Sequence, residues 1–291
     1  MHFPAPDSVT ASAPPVALRE RYRRFTAARL LILAGLLAAL FMALVFDVST
    51  GPSTFPFADE VRGLFNSQSL PQAQQVILWE VRLPYAVMAV LVGASLGLAG
   101  AEMQTVLNNP LASPFTLGLS AAAAVGASVA VVFGFTFMAL GENLAVPISA
   151  FVFATGATLL IQLLAYRYGA TVDTVVLFGI ALLFSFEALL WLMQFIADSN
   201  ALQQIVFWTM GSLSRSTWNK IGIVGGVLLL CMVWSSRTVW QLTALRAGEE
   251  QARSFGVPVE RLRLFTLLRV SLLAATAFIV ADLSSVMCFS I

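Results

Sequence analysis

Charge is what this sequence has least of. Only 11% of its residues are Asp, Glu, Lys or Arg, against about 25% in ordinary soluble domains. Such a chain cannot clothe a water-facing surface, and its 59% of hydrophobic residues exceeds the roughly 45–50% usual for soluble domains. Histidine is reduced to His2 in a polar tail, and cysteine to Cys231 and Cys288 in apolar surroundings. That excludes a disulfide framework, a zinc set and any His-based catalytic group. Lysine occurs only as Lys220, and Ile221 follows it, so the Gly-Lys-Ser/Thr phosphate loop of an ATPase is absent as well. A net charge of +1 says nothing about nucleic acid.

What the chain does have is long apolar runs. Seven stretches, 25–46, 85–106, 116–139, 144–166, 174–196, 221–235 and 264–280, approach the 20 or so residues that cross a bilayer as helix. The expected fold is all-α, a polytopic membrane bundle, with a polar cytoplasmic tail over 1–24 and one membrane domain over 25–291. The first run reads as a retained signal-anchor, being longer than a signal-peptide core and followed by no Ala-x-Ala site. Gly118, Ala121 to Ala124, Gly126 and Ala127 make the third stretch rich in small residues, so it is expected inside the bundle.

Orientation follows from the basic residues. With the N-terminus inside, the inner segments hold eleven arginines, while the outer ones hold Arg62, Arg82, Arg215 and Lys220. This bias favours N-inside. Among the loops, Leu202 to Met210 is apolar but too short to span and reads as an interfacial helix. The inner loop 241–260 is different. Leu242, Leu245, Ala252 and Phe255 can form an apolar face on two short helices broken at Gly248 and Gly256, with Glu249, Glu250 and Arg253 on the polar side. A charged helical loop between two spans suits docking of a partner, although a solvated linker has the same composition.

Two constellations frame the second stretch. Arg82-Leu83-Pro84 opens it, and Asn109-Pro110-Leu111-Ala112-Ser113-Pro114 closes it. Two prolines four apart force a turn and let a new helix begin near Phe115, with Ser113 available to cap it. Between them lie Gly93 and Gly97, which invite close helix packing, and Gln104. Glu102 and Glu187 fall inside spans, where a carboxylate is costly and faces the bundle or a wet cavity; lining the path or pairing with Arg269 are the two solutions open to both.

Taken in order, Arg82-Leu83-Pro84, the glycine-studded run Leu91 to Ala101, Gln104, Asn109-Pro110-Leu111-Ala112, Leu117-Gly118, Ala244-Leu245, Gly248-Glu249-Glu250, Ala252-Arg253 and Gly256-Val257 resemble the FecCD-type permease family of ABC importers for iron-siderophores, haem and cobalamin. The resemblance implies a permease of the large, roughly ten-span type in a bacterial inner membrane. It also implies ATPase subunits, a second permease subunit and a periplasmic binding protein as partners, with lipid around the bundle. No enzyme activity and no cofactor are expected of this chain. The loop bearing Ala244, Leu245, Gly248, Glu249, Glu250, Ala252, Arg253 and Gly256 would be the ATPase-coupling segment, and Arg82, helped by Arg62 and Arg215, would face the binding protein. The cargo implied is a metal chelate, with a ferric siderophore ahead of cobalamin or haem. In the family three further crossings and a Pro-His pair follow the last span seen here, so the chain is expected to be a truncated product or a fragment. The rival reading is a secondary transporter driven by an ion gradient, with Glu102 and Glu187 as ion carriers.

Overall fold

The computed structural model describes residues 15–49, 63, 70–134, 142–168, 172–213 and 216–280, and every regular element among the described residues is helical. Two compact units are resolved, Met1–Leu70 and Pro71–Ile291. The first holds α1, Pro15–Ser49. This helix starts inside the segment 1–24 expected as a polar tail, because Val16 to Arg24 contains good helix formers and no glycine. Its portion Arg23–Val48 is apolar enough to cross a membrane.

In the second unit, α2 (Gln72–Val76) passes through a π-helical turn, Ile77–Arg82, into α3 (Leu83–Val106). Then follow α4 (Leu119–Phe133), α5 (Glu142–Tyr168), α6 (Val172–Ile196), α7 (Ser199–Met210), α8 (Trp218–Arg246), α9 (Glu249–Ser254) and α10 (Val259–Val280). Each of the seven expected spans is met by a helix. Five are long and apolar enough to cross a bilayer by composition and length; α4, at 15 residues, is shorter, and α10 opens with Glu260, Arg261 and Arg263.

Two boundaries differ from expectation for identifiable reasons. The sixth span was expected to end at Ser235, yet α8 continues to Arg246. Polar residues end the apolar run there, but neither glycine nor proline lies between Ser235 and Ala247 to end the helix. The third was expected to open near Phe115 with Ser113 as its cap. Instead Ser113 and Thr116 close a local turn, with Ser113 Oγ accepting from the Thr116 amide at 3.3 Å. The helix begins only after Gly118, whose φ of 74° holds the chain left-handed.

That glycine sits at a close backbone crossing. A Cβ on Gly118 would lie 2.9 Å from Leu183 Cα of α6, and one on Gly179 of α6 would lie 2.4 Å from Leu117 Cδ2. Small residues also let α4 meet α5: Ser149 Oγ donates to the Gly126 carbonyl at 2.6 Å. The expected burial of the small-residue helix is found, with Ala121, Ala122, Ala123 and Ala124 among its buried residues. Gly126→Ala is expected to lower stability by about 1–3 kcal/mol through overpacking. The added Cβ would fall 2.6 Å from Ser149 O and 2.8 Å from Phe153 Cβ, neither of which can rotate away. Thermal unfolding in detergent measures the loss.

The main apolar core lies among α3, α8 and α10. Met88, Val92, Ala99 and Met103 pack there with Val224, Leu228, Cys231, Val270 and Leu273. α5 joins α10 through Thr158 Oγ1 and Ser271 Oγ, 2.6 Å apart, and through Gln162 Nε2 donating to Leu264 O at 3.3 Å. Such polar contacts between helices suit a membrane interior, where backbone and side-chain groups find no water.

Candidate coupling hook and buried ion pair

α8 ends at Arg246, and the chain turns through Gly248 at φ 130° and ψ 149°. That conformation belongs almost solely to glycine. One short helix follows, α9, with Glu249 and Glu250 in its first turn and Arg253 in its last, the arrangement that the helix dipole favours. At its far end the Gly256 amide donates to Arg253 O and the Val257 amide to Ala252 O, at 2.9 and 3.0 Å. With Gly256 at φ 77°, this is a Schellman stop, and buried Val257 supplies its apolar contact. The expected breaks at Gly248 and Gly256 are both present. The hook contains one short helix rather than two, because residues 241–246 belong to α8.

Leu242, Leu245, Ala252, Val257, Val259 and Leu262 bury together with Val106, the last residue of α3, and Ala244 packs beside them. The hook is therefore folded against the C-terminal end of α3. Phe255, expected on this apolar face, is instead 66% exposed. It lies just past the last turn of α9, where the Schellman stop carries the backbone on to Val257. An ion-pair cluster fixes the polar side. Arg253 Nη2 lies 2.9 Å from Glu249 Oε1 and 3.6 Å from Glu260 Oε1, and the nearly buried Arg263 reaches Glu249 Oε2 at 3.1 Å.

Partial burial alone would raise the Glu249 carboxyl, but hydrogen bonds and charge from Arg253 and Arg263 outweigh it and hold the group below the ordinary carboxylate value. A depressed folded-state value stabilises the hook above the unfolded value and is lost as pH falls through the folded one. The protection of α9 amides, referred to their intrinsic exchange rate at each pH, is therefore expected to hold down to pH 4.5 and to fall only below it. Glu249→Gln is expected to abolish that dependence.

The stop of α3 mirrors that of α9. Asn108 takes φ 43°, its amide donating to Thr105 O and that of Asn109 to Gln104 O. Asn109 Oδ1 then accepts from the Leu111 amide at 2.9 Å, just before and after Pro110. Gln104, Asn109 and Pro110 thus build the turn that the two prolines predicted. Gly93 and Gly97 depart from expectation. Among the described residues of the second unit, nothing lies within 4 Å of a Cβ built on either. Gly118, Gly126 and Gly179 make those close contacts instead.

Glu102 and Arg269 meet, as their charges allowed. Arg269 Nε lies 2.7 and 3.0 Å from the two carboxylate oxygens, and the side chains are 0% and 4% exposed for Arg269 and Glu102. From α8, Thr238 Oγ1 sits 3.5 Å from Arg269 Nη2 and the Trp234 ring 5.4 Å from its guanidinium carbon. Glu187 is half-buried on α6. Arg82 is only 9% exposed at the opposite end of α3 from the hook, where Trp218 Nε1 donates to Trp79 O at 3.0 Å. Arg62 and Arg215 lie outside the described residues. α7 is the expected short amphipathic helix: Asp198 caps it by accepting from the Ala201 amide at 2.7 Å, Ile205 and Trp208 are buried, and Phe207 and Met210 are exposed.

Known proteins carry the same architecture. A solved structure described as an inward-facing conformation of a metal-chelate type ABC transporter superposes with a TM-score of 0.72 at 30% identity, covering 86% of this chain and 75% of the other. The ferric enterobactin transport permease of Escherichia coli is 32% identical over 87% of this chain and 75% of its own length. A vitamin B12 import permease of Pectobacterium atrosepticum is 35% identical over 86% and 72%. A molybdate import permease of Haemophilus influenzae is 33% identical over 65% and 55%. The model of the FecCD transport family matches residues 30–282, and this multi-pass membrane chain belongs to that family.

Proposed function

We propose that the chain is the membrane-spanning permease subunit of an ATP-driven importer. In this reading ATP is hydrolysed on separate ATPase subunits, a second permease subunit completes the pathway, and a periplasmic binding protein delivers cargo. The observation that carries it is the hook: a small helix with its own buried apolar core and an ion-paired polar side, presenting an exposed phenylalanine beneath α3. A solvated linker needs neither the core nor the exposed aromatic.

Hook and Asn109 turn share one end of α3, and that end would be cytoplasmic, with the N-terminus inside the bacterial inner membrane. The arginine bias supports this orientation. Arg82 then belongs to the outer end, where it would brace the start of α3 while docking of the binding protein falls also to Arg62 and Arg215. Glu187 on α6 would line the route.

The cargo would be a metal chelate, with a ferric siderophore first and cobalamin or haem after it. Relatives that import ferric enterobactin and vitamin B12 support a chelate, and the molybdate permease is the competing case. No group of three or more His, Cys, Asp or Glu residues is placed to hold a metal among the described residues. Recognition would act on the envelope of the chelate.

Co-purification with a candidate ATPase subunit tests the reading. The natural chain is expected to retain the ATPase, and Glu249→Ala with Arg253→Ala to lose most of it; equal retention by both would remove the hook from the mechanism. Growth of a deletion strain on single ferric chelates, cobalamin or molybdate decides the cargo.

A further inference from the structure

We infer that Glu102 and Arg269 are positioning residues of the transport cycle: their buried pair joins α3 to α10 so that displacement of the hook is delivered to the far end of α3. The inference rests on the hook being the docking segment. α10 leaves the hook directly, and Arg263 near its start is tied to Glu249 of α9 at 3.1 Å. Arg269 follows six residues later, about 9 Å further along the axis. There it grips Glu102 through Nε at 2.7 and 3.0 Å. Two ion pairs thus connect α9 to α10 and α10 to α3 in series.

The character of the second pair separates it from packing. Apolar contacts around it, from Met103, Val270 and Cys231, are non-directional and allow helices to slide. A fully buried ion pair does not, because parting it leaves two bare charges in a low-dielectric interior. At this level α3 and α10 must therefore move as one body. α8 meets the pair itself only through weaker contacts, Thr238 at 3.5 Å and the Trp234 ring at 5.4 Å, and its hold on α3 at this level is apolar packing. Among the described residues, Arg269 Nη1 is also buried with no hydrogen-bond partner. A site shaped for stability alone would satisfy or dispense with that donor, since buried pairs give little net stability over apolar residues of similar volume.

The far end of α3 is where such motion would be felt. Trp218 of α8 holds Trp79 there, so relative movement of α3 and α8 works against one defined contact. The test is a distance measurement in the assembled transporter, with spin labels at Tyr85→Cys and Ile223→Cys, both exposed, and native cysteines replaced by serine. A second label at Glu250→Cys reports the hook. On addition of a non-hydrolysable ATP analogue, the natural sequence is expected to respond at both places. The apolar pair Glu102→Leu with Arg269→Met keeps the volume and the fold, and is expected to keep the hook response while the outer shift shrinks about threefold or more. An undiminished outer shift in that variant overturns the inference. A hook label that ignores the ATPase in the natural sequence overturns the docking reading itself, a distinct result.

Discussion

Phe255→Ala is expected to weaken ATPase binding about ten- to a hundredfold while leaving the stability of the permease unchanged. The ring is 66% exposed, so folding gains little from it. Seating it in a cleft removes that surface from water, and full burial of a phenylalanine is worth about 1.5–3 kcal/mol. One aromatic anchor surrounded by near-neutral polar contacts is how association energy is usually distributed. Leu245→Ala makes the contrast. Leu245 is 5% exposed within the core of the hook, and its loss is expected to cost about 2–5 kcal/mol of local stability. Titration of purified ATPase against both variants, with thermal unfolding of each, separates an anchor from a structural residue.

Arg269→Met alone is expected to destabilise the bundle by about 3–5 kcal/mol, since it strands a buried carboxylate. Glu102 is only 4% exposed in its place between α3 and α10. Adding Glu102→Leu to the same chain is expected to recover most of the loss, as apolar replacement of both partners often does. Denaturation in mixed micelles measures the single and double variants, and a single variant as stable as the natural chain would show that the pair is not sealed from solvent.

Much of this architecture was legible from residue pattern, and the departures have physical causes. Hydropathy found a helix at each expected span, five of them long and apolar enough to cross a bilayer, because lipid leaves a helix no alternative to being apolar and self-satisfied. It misplaced the end of α8, since it registers the loss of apolar residues and not the persistence of helical hydrogen bonds through Gln241 and Thr243. The breaks at Gly248 and Gly256 were readable because glycine acts locally. The roles of Gly93 and Gly97 were not, since close packing depends on which helix arrives, and α6 arrives at Gly118 while α5 arrives at Gly126. That a carboxylate in a span would pair with Arg269 could be anticipated from cost alone, but not that Glu102 rather than Glu187 would do so, since that depends on which helix meets α10. Phe255 was assigned to the wrong side because apolarity by itself does not distinguish a core residue from an anchor.

The brevity of α4 has one more consequence. Its 15 residues rise about 22 Å, against about 30 Å of hydrocarbon. Before it runs the irregular stretch from Leu107 to Gly118, in which Leu107, Ala112, Pro114 and Leu117 are buried while Asn108, Pro110 and Leu111 are exposed. From Ala112 onward no residue of this stretch is fully exposed, which is the condition for non-helical backbone beside lipid. The permeability barrier at that corner is thus made of side chains instead of lipid, and a solute leak should appear there first when α6 is pried away from α4.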